Sequence, residues 1–249
     1  MPRAVQDGLP RRTDVYWRSV ENEPNLRLPA GATWILGVDV GVRNLALALV
    51  AWWAGVEHIV ALIHYDAGAD IGAEQNAALR AQVLPLFEDL MCLVSTAGGA
   101  GAYLAIEQQQ KQTNDAYMVE VAGLLEGAFC ETHASYLGTP DPRAIRKVQP
   151  SAQTSVAMQR RLLPDRRPVP VTGRVEKKAR AVAMLKNWLE DRGHAGVSAD
   201  YDAMLSRVGR GGTIVKACDR RDHVADAFLC AMSLGFALNL DRAPEDGPA

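Results

Sequence analysis

The sequence predicts an α/β protein in which helices cover a mixed β-sheet. Three apolar runs come first, at Thr33–Val40, Leu45–Trp53 and Val56–Tyr65, and the connections between them are short enough for hairpins. Stretches with helical spacing then alternate with strand-like runs, in the order βββαβαβα followed by further helices. An antiparallel meander followed by alternating helices and strands indicates this fold class.

The helices are predicted from apolar residues that recur at helical spacing. They cover Glu74–Thr96, residues 114–133, Arg174–Arg192 and Asp219–Leu240. Between the first two, Ala102–Glu107 predicts a buried strand that ends in an acid. A short strand is expected at Ser135–Leu137 or at Ala144–Val148, and Ser151 is expected to cap a short helix after it.

Length and composition are those of a protein with one sizeable core. The chain has 249 residues, of which 48% are hydrophobic and 22% charged. Residues 1–30 are polar, punctuated by proline and without apolar period, so we predict a flexible arm there. A single domain is expected over residues 31–240, with an insertion at 193–212, and a disordered tail over residues 241–249.

We expect an intracellular protein that does not enter a membrane. No apolar run approaches the roughly 20 residues that a membrane-spanning helix needs, and no secretion signal is visible. The cysteines are widely spaced, without a Cys-x-x-Cys pair: Cys92, Cys130, Cys218 and Cys230. This spacing favours reduced thiols and argues against both a disulfide framework and a zinc site.

Basic residues are concentrated in one segment, although the net charge of the whole chain is only -2. From Arg143 to Arg180 there are eleven basic residues against two acidic ones, a net charge of +9. A segment with this charge is either a face of the protein exposed to solvent or a surface that binds a polyanion. Charge alone leaves both interpretations open.

Four acidic residues come from three distant places in the sequence. Asp39 lies on the first predicted strand and Glu107 ends the fourth, while Asp222 and Asp226 lie four residues apart on the last helix. Where the first and fourth strands are neighbours, Asp39 and Glu107 meet at one edge of the sheet. If the last helix packs over that edge, all four carboxylates come together.

Such a cluster suggests a divalent metal site. Like charges at i and i+4 destabilise a helix, unless a cation lies between them. Hard oxygen ligands favour Mg²⁺ or Mn²⁺ over zinc. Two such ions, about 4 Å apart, could activate a water and stabilise the leaving oxygen of a phosphodiester.

Each acid also has an ordinary interpretation. Asp39 stands before a Val-Gly pair, as turn-forming acids do, and Glu107 precedes a polar run in which the chain could simply meet water. The acids of Asp219–Asp226 could belong to a solvated first turn, where the helix dipole favours negative charge. Their occurrence together, in this order on these elements, favours a common site.

Three motifs resemble those of the ribonuclease H-like Holliday junction resolvases. They are Asp39-Val-Gly-Val-Arg-Asn-Leu-Ala46, Ile106-Glu-Gln-Gln109 and Asp222-His-Val-Ala-Asp-Ala227, within roughly residues 35–234. The RuvC family is the broad match, and the branch of poxvirus resolvases and fungal mitochondrial cruciform-cutting enzymes is the closer one. No single motif is specific, but the ordered set is typical of the family.

The resemblance implies a ribonuclease H-like fold with a five-stranded mixed sheet. It also implies a magnesium-dependent endodeoxyribonuclease that resolves four-way DNA junctions by paired symmetric nicks. Two Mg²⁺ ions, for which Mn²⁺ could substitute, would be held by Asp39, Glu107, Asp222 and Asp226. His223 stands where the branch often has a second acid, so it is either a ligand or proton donor, or a residue without a role.

The resemblance also gives the basic segment a use. Lys177 and Lys178 open a helix that is expected near the active edge. Phosphates of the junction arms would be contacted by further basic residues: Arg160, Arg161, Arg166, Arg167 and Arg174. Family members are homodimers, and residues 114–133 are the candidate interface unless the core consumes their apolar stripe. Resemblance to viral enzymes suggests that the protein comes from a large DNA virus. It would then act at the site of viral DNA replication, in a cytoplasmic factory or in the nucleus.

Other functions stay open. A different ribonuclease H-like nuclease, acting on branched DNA or RNA, would keep the acids, although the family linked to ribosomal RNA processing is much shorter. An actin-like or sugar-kinase-like ATP-binding domain could use Gly37–Asn44 as a phosphate loop. The sequence lacks the second Asp-x-Gly loop followed by a strand that such domains need. A binding module that lost catalysis is disfavoured by the presence of all four acids.

Overall fold

The computed structural model describes residues 12–18, 31–40, 44–66, 76–99, 101–108, 116–163, 168, 173–192 and 218–241. The strands of this part of the chain are β1 (Arg12–Arg18), β2 (Thr33–Val40), β3 (Asn44–Trp53), β4 (Val56–Asp66), β5 (Ala102–Glu107) and β6 (Ile145–Val148). The helices are α1 (Asn76–Thr96), α2 (Ala116–Leu137), α3 (Pro150–Gln153), α4 (Val156–Leu162), α5 (Arg174–Asp191) and α6 (Cys218–Ala237). A single 3-10 turn at Pro142–Ala144 leads into β6.

The strands form one mixed sheet in the order β1-β4-β3-β2-β5-β6. β2, β3 and β4 form an antiparallel meander, while β5 runs parallel to β2 and β6 runs parallel to β5. Helices cover both faces of this sheet. The predicted fold class is thus confirmed: an α/β protein with a mixed sheet of three antiparallel strands and then parallel ones, flanked by helices.

The sheet has one strand more than predicted, because part of the expected N-terminal arm is a strand. β1 pairs with β4 in antiparallel fashion, from Arg12 opposite Asp66 to Arg18 opposite Ala61. An edge strand such as β1 is paired on one side only and needs no continuous apolar run, so the sequence did not reveal it. The remainder of residues 1–30, the predicted insertion at 193–212 and the predicted tail beyond residue 241 lie outside the described residues.

Of the two places predicted for the short strand, the second is confirmed: the strand is β6, whereas Ser135–Leu137 belongs to the last turn of α2. The prediction that Ser151 caps a helix is wrong. Ser151 lies inside α3, whose N-cap is Gln149, and no side chain caps that helix. The serine that does cap a helix is Ser155, whose hydroxyl accepts the backbone N–H of Met158 in the first turn of α4 at 3.2 Å.

Two hydrophobic clusters lie on opposite faces of the sheet. One contains side chains of α1 and α2, and the other contains side chains of α4, α5 and α6. Along β2, Leu36 and Val38 belong to the first cluster and Ile35 to the second, as the alternation of side chains in a strand requires. Asp39 therefore lies on the face that α6 covers.

Glycines on both partners let α6 lie directly against the sheet. A Cβ atom at Gly37 of β2 would be 2.0 Å from the carbonyl oxygen of Ala227 and 2.8 Å from the backbone nitrogen of Ala231. Near the other end of α6, a Cβ atom at Gly235 would be 2.4 Å from the ring of Trp52. No side chain fits at either contact, so the two glycines fix how α6 crosses the sheet.

No helix in the described part of the chain combines the length and the apolar character that spanning a bilayer requires.

Candidate active site

Asp39 and Glu107 meet at one edge of the sheet. β2 and β5 are parallel neighbours, and Val38 lies opposite Ile106 in their register. Asp39 and Glu107 are the next residues along these strands, so they lie side by side where the strands end. Both lie on the face of the sheet that α6 covers. The structure therefore brings together two acids that are far apart in sequence.

The first turns of α6 place two more acids over this edge. Asp222 and Asp226 are only 1% and 8% exposed, although free carboxylates are seldom buried. They lie four residues apart and project from the same side of the helix. Asp226 directly precedes Ala227, whose carbonyl group lies over Gly37, so the close contact of helix and strand carries Asp226 to the acids of the sheet.

His223 also belongs to this cluster. Its Nδ1 atom lies 2.5 Å from Oδ2 of Asp39, within hydrogen-bonding distance. Burial lowers the pKa of His223, but the hydrogen bond to Asp39 and the charges of Asp39 and Asp222 outweigh that effect and raise the pKa above its ordinary value of 6.5. The imidazole therefore tends to be protonated, with its charge against Asp39.

Two lysines of α5 lie against two of the acids. Nζ of Lys177 lies 3.6 Å from Oε1 of Glu107, and Lys178 forms an ion pair with Asp222. These lysines are only partly exposed, so the pairs are less screened than ion pairs on an open surface. Of the predicted basic residues, Lys177 and Lys178 are the ones that the structure places beside the acids.

Negative charge at this edge is still incompletely compensated. Burial, together with the charge of Asp39, raises the pKa of Asp226 from its ordinary value of 3.8 to about 8. Burial and the charge of Asp39 also raise the pKa of Glu107, while Lys177 and a hydrogen bond from Gln153 oppose that rise. Oδ1 of Asp226 is buried and has no hydrogen-bond partner among the described residues. The cluster can therefore accommodate further positive charge.

The donor set suits a hard divalent cation. Four carboxylates converge, and two of them have raised pKa values. Oδ1 of Asp222 and Oδ1 of Asp226 are buried without a hydrogen-bond partner in the described part of the chain. In the arrangement described, however, no group of three or more His, Cys, Asp or Glu side chains is placed so that it could hold a metal ion. Asp39, Glu107 and Asp222 are instead engaged by His223, Lys177 and Lys178, respectively.

Of the other predicted DNA-binding residues, the structure places Arg161 away from this cluster. Arg161 lies 2.7 Å from Oδ2 of Asp241 and stacks over the ring of Phe236, at 4.0 Å from its centroid. It lines a cavity of about 350 Å³ with Glu57, at the opposite end of β4 from the acids and roughly 20 Å away. Arg160 is exposed on α4. Arg166 and Arg167 lie outside the described residues, and of Arg174 only the backbone, at the start of α5, is described.

Sequence reasoning missed two residues beside the acids. His64 of β4 is fully buried, and the sheet register aligns it with Ala46 and, through Ala46, with Asp39. Its ring centroid is 6.3 Å from that of His223. Gln153, also fully buried, ends α3 and hydrogen-bonds Glu107. A histidine inside an apolar strand was a usable signal, whereas nothing in the sequence marks Gln153.

No family model and no curated protein matches the chain. Among solved structures, it is similar to the Fowlpox virus resolvase in complex with Holliday junction DNA, at 11% identity and a TM-score of 0.47, over 82% of this chain and 98% of that one.

Two structures of Thermus thermophilus RuvC are also similar to the chain. The one with a Holliday junction substrate is 16% identical with a TM-score of 0.42, and the other is 19% identical with a TM-score of 0.40. Each match covers 84% of this chain and 98% of the other. Two of these three solved structures are complexes with Holliday junction DNA.

Proposed function

We propose that this protein is a divalent-metal-dependent endonuclease that resolves four-way DNA junctions by paired, symmetric nicks. The observation that carries the proposal is the convergence of Asp39, Glu107, Asp222 and Asp226, from two strands and one helix, at a single sheet edge. Burying four carboxylates together is costly for folding unless a cation compensates them. Phosphodiester hydrolysis is the chemistry that such a cluster supports.

Asp39, Glu107 and Asp226 are the residues that would hold the cations, with Asp222 as a further ligand. Mg²⁺, or Mn²⁺ in its place and two ions per site, would activate a water and stabilise the leaving oxygen when bound. His223 keeps a proton close to Asp39 and is the residue available to protonate a leaving oxygen. For this transfer, His223 has to give up its contact with Asp39 or use its other ring nitrogen.

Lys177 and Lys178 are the first DNA contacts that we propose. They neutralise Glu107 and Asp222 in the arrangement described. Once cations take over that task, the two ammonium groups can bind backbone phosphates of the DNA beside the acids. Arg160, Arg166, Arg167 and Arg174 are proposed phosphate contacts of the junction arms. Arg161 is the least suited of the predicted set, because Asp241 and Phe236 already hold its guanidinium.

Selectivity for junctions and the dimeric state rest on the motif resemblance. Symmetric cutting of two strands needs two sites related by a two-fold axis, which a homodimer supplies. The apolar stripe of α2, including Val121, Leu125 and Phe129, packs within the chain itself, so the dimer contact has to use another surface. Resolution of replicated viral DNA concatemers, at the site of viral replication, would be the biological role.

The test is cleavage of synthetic four-way junctions by purified protein with Mg²⁺ or Mn²⁺. We expect paired nicks at symmetric positions, loss of cutting without loss of binding in Asp39→Asn and Glu107→Gln, and full activity in the control Glu88→Gln on the exposed side of α1. Equal cutting of linear duplex DNA would contradict junction selectivity. Retained cleavage in Glu107→Gln would refute the site. ATP turnover without DNA would favour the kinase-like alternative instead.

A further inference from the structure

Gln153 is a fully buried polar residue at the C-terminal end of α3. Its Nε2 atom donates to Sγ of Cys230 at 3.0 Å, and its side chain also forms a hydrogen bond with Glu107. A primary amide has two N–H donors, so a single nitrogen can serve both acceptors. Gln153 therefore joins an acid at the end of β5 to a thiol in the middle of α6.

Folding alone does not account for a glutamine at this position. Val148 and Met158, five residues before and after it, belong to the apolar cluster under α6, and its neighbour Ala152 packs against that cluster. A methionine at position 153 would fill similar space without a polar group. Oε1 of Gln153 is buried and has no hydrogen-bond partner in the described part of the chain. A buried acceptor without a partner is unfavourable for folding, because it has given up its hydrogen bonds to water. The amide is therefore unfavourable for stability, except for what its N–H groups hold in place.

The groups held by Gln153 belong to the two elements that form the acid cluster. Cys230 follows Asp226 by four residues and thus lies one turn further along the same side of α6. Glu107 lies beside Asp39 on the sheet. The amide is consequently a direct polar link between an acid of the sheet and the helix that carries Asp226.

We propose that Gln153 is a positioning residue, which orients the carboxylate of Glu107 and ties it to α6 so that Glu107 and Asp226 face one cation. This inference rests on the proposed metal-dependent function. Replacing a residue that hydrogen-bonds a metal ligand and so orients it typically weakens metal binding by about 10–100-fold. Gln153 does not itself touch the substrate or the metal.

The experiment compares two buried glutamines that differ in what they contact. Gln159 is 1% exposed, and its Nε2 donates to the carbonyl oxygen of Thr154 at 2.8 Å. We would measure Mn²⁺ affinity without DNA, by calorimetry, for the full chain and for Gln153→Met and Gln159→Met. Urea unfolding of each variant reports whether the two substitutions perturb the fold to a similar extent.

We expect Mn²⁺ binding of Gln153→Met to be weaker by about tenfold or more, and binding of Gln159→Met to stay within about twofold of the unsubstituted protein. Gln153→Asn keeps the amide but is one methylene shorter, so it should not restore affinity. Cys230→Ala removes only the tie to α6 and should give an intermediate loss. Unchanged affinity in Gln153→Met, or equal losses in both methionine variants, would overturn the inference.

Cleavage assays separate this inference from the proposed function. A protein whose Mn²⁺ affinity depends on Gln153 but which leaves four-way junctions intact would refute the resolvase proposal and support the positioning role. A protein that cleaves junctions, but whose Mn²⁺ affinity does not depend on Gln153, would support the resolvase proposal and refute the positioning role. If Gln153→Met does not fold, the comparison is made with Gln153→Asn and Cys230→Ala, for which equal and unchanged affinities would overturn the inference.

Discussion

Asp226 makes the stability of the metal-free protein depend on pH in a direction that is unusual for an aspartate. Its pKa is about 8 in the folded chain, against an ordinary value of 3.8. Between these values the folded state keeps a proton that the unfolded state has lost. The stabilisation from this group is therefore complete below about pH 4 and is lost as the pH rises towards 8.

The size of the effect follows from one proton. One proton of difference changes the free energy of unfolding by about 1.4 kcal/mol per pH unit. From pH 6 to pH 8 the protein without metal should therefore lose about 2.3 kcal/mol through Asp226, because the folded carboxyl group is already half ionised at pH 8, and less if Glu107 shares the proton. Asp226→Asn has nothing to titrate there, so its advantage over the unsubstituted protein should grow by a similar amount.

The assay is urea unfolding in EDTA at pH 6, 7 and 8, for the unsubstituted protein, Asp226→Asn and the surface control Glu88→Gln. Because Glu107 and His223 also titrate, the informative quantity is the difference between variants and not the slope of either one. Saturating Mg²⁺ should flatten the dependence, since the cation replaces the proton. Parallel curves for the unsubstituted protein and Asp226→Asn would refute the reasoning.

Three further predictions concern packing and charge. Gly37→Ala, whose Cβ would meet the carbonyl of Ala227 at 2.0 Å, should destabilise the fold by about 1–3 kcal/mol in thermal unfolding, while Gly123→Ala on α2, with open space around it, should be neutral or stabilising. His133→Phe should lower the free energy of unfolding in urea by about 1–3 kcal/mol, because Nε2 of His133 accepts the backbone N–H of Ala102 at 3.2 Å and a phenyl ring cannot. A loss below about 0.5 kcal/mol would contradict this role. Lys177→Met should lower the salt dependence of junction binding by about one unit of slope in fluorescence titrations, whereas Arg161→Ala should leave it unchanged; equal slopes for both variants would refute the division of the basic residues.

The elements that the sequence predicted well are those whose own residues determine them. The meander, the buried strand β5 and the helices follow from apolar runs and helical spacing, and β2 and β5 have the bounds predicted for them. The end of α2 was predicted too early, although Gly138, with φ at 88°, marks it as a common helix-ending residue. The strand β1 was missed because its stability comes from pairing with β4 and not from its own pattern.

The same distinction holds for the candidate site. Residue type and order were enough to select Asp39, Glu107, Asp222 and Asp226 as one set. The motif resemblance also predicted that Lys177 and Lys178 lie near the acids, where they pair with Glu107 and Asp222. That Arg161 pairs with Asp241 instead was not predictable, because this contact depends on tertiary packing. Gln153 could not be found at all, since its contacts with Cys230 and Glu107 join three elements that are not adjacent in sequence.

The close contact of α6 with the sheet predicts where mutations that abolish activity will be found. Gly37 can bind neither metal nor DNA through a side chain, yet a side chain there would meet the backbone of α6 at Ala227 and Ala231 and displace the helix that carries Asp222, His223 and Asp226. A random screen for loss of junction cleavage should therefore recover substitutions at Gly37 about as readily as at the acids. Variants at Gly37 would lose cleavage although every predicted metal ligand is still present. Second-site changes that shrink a neighbouring side chain could restore their activity.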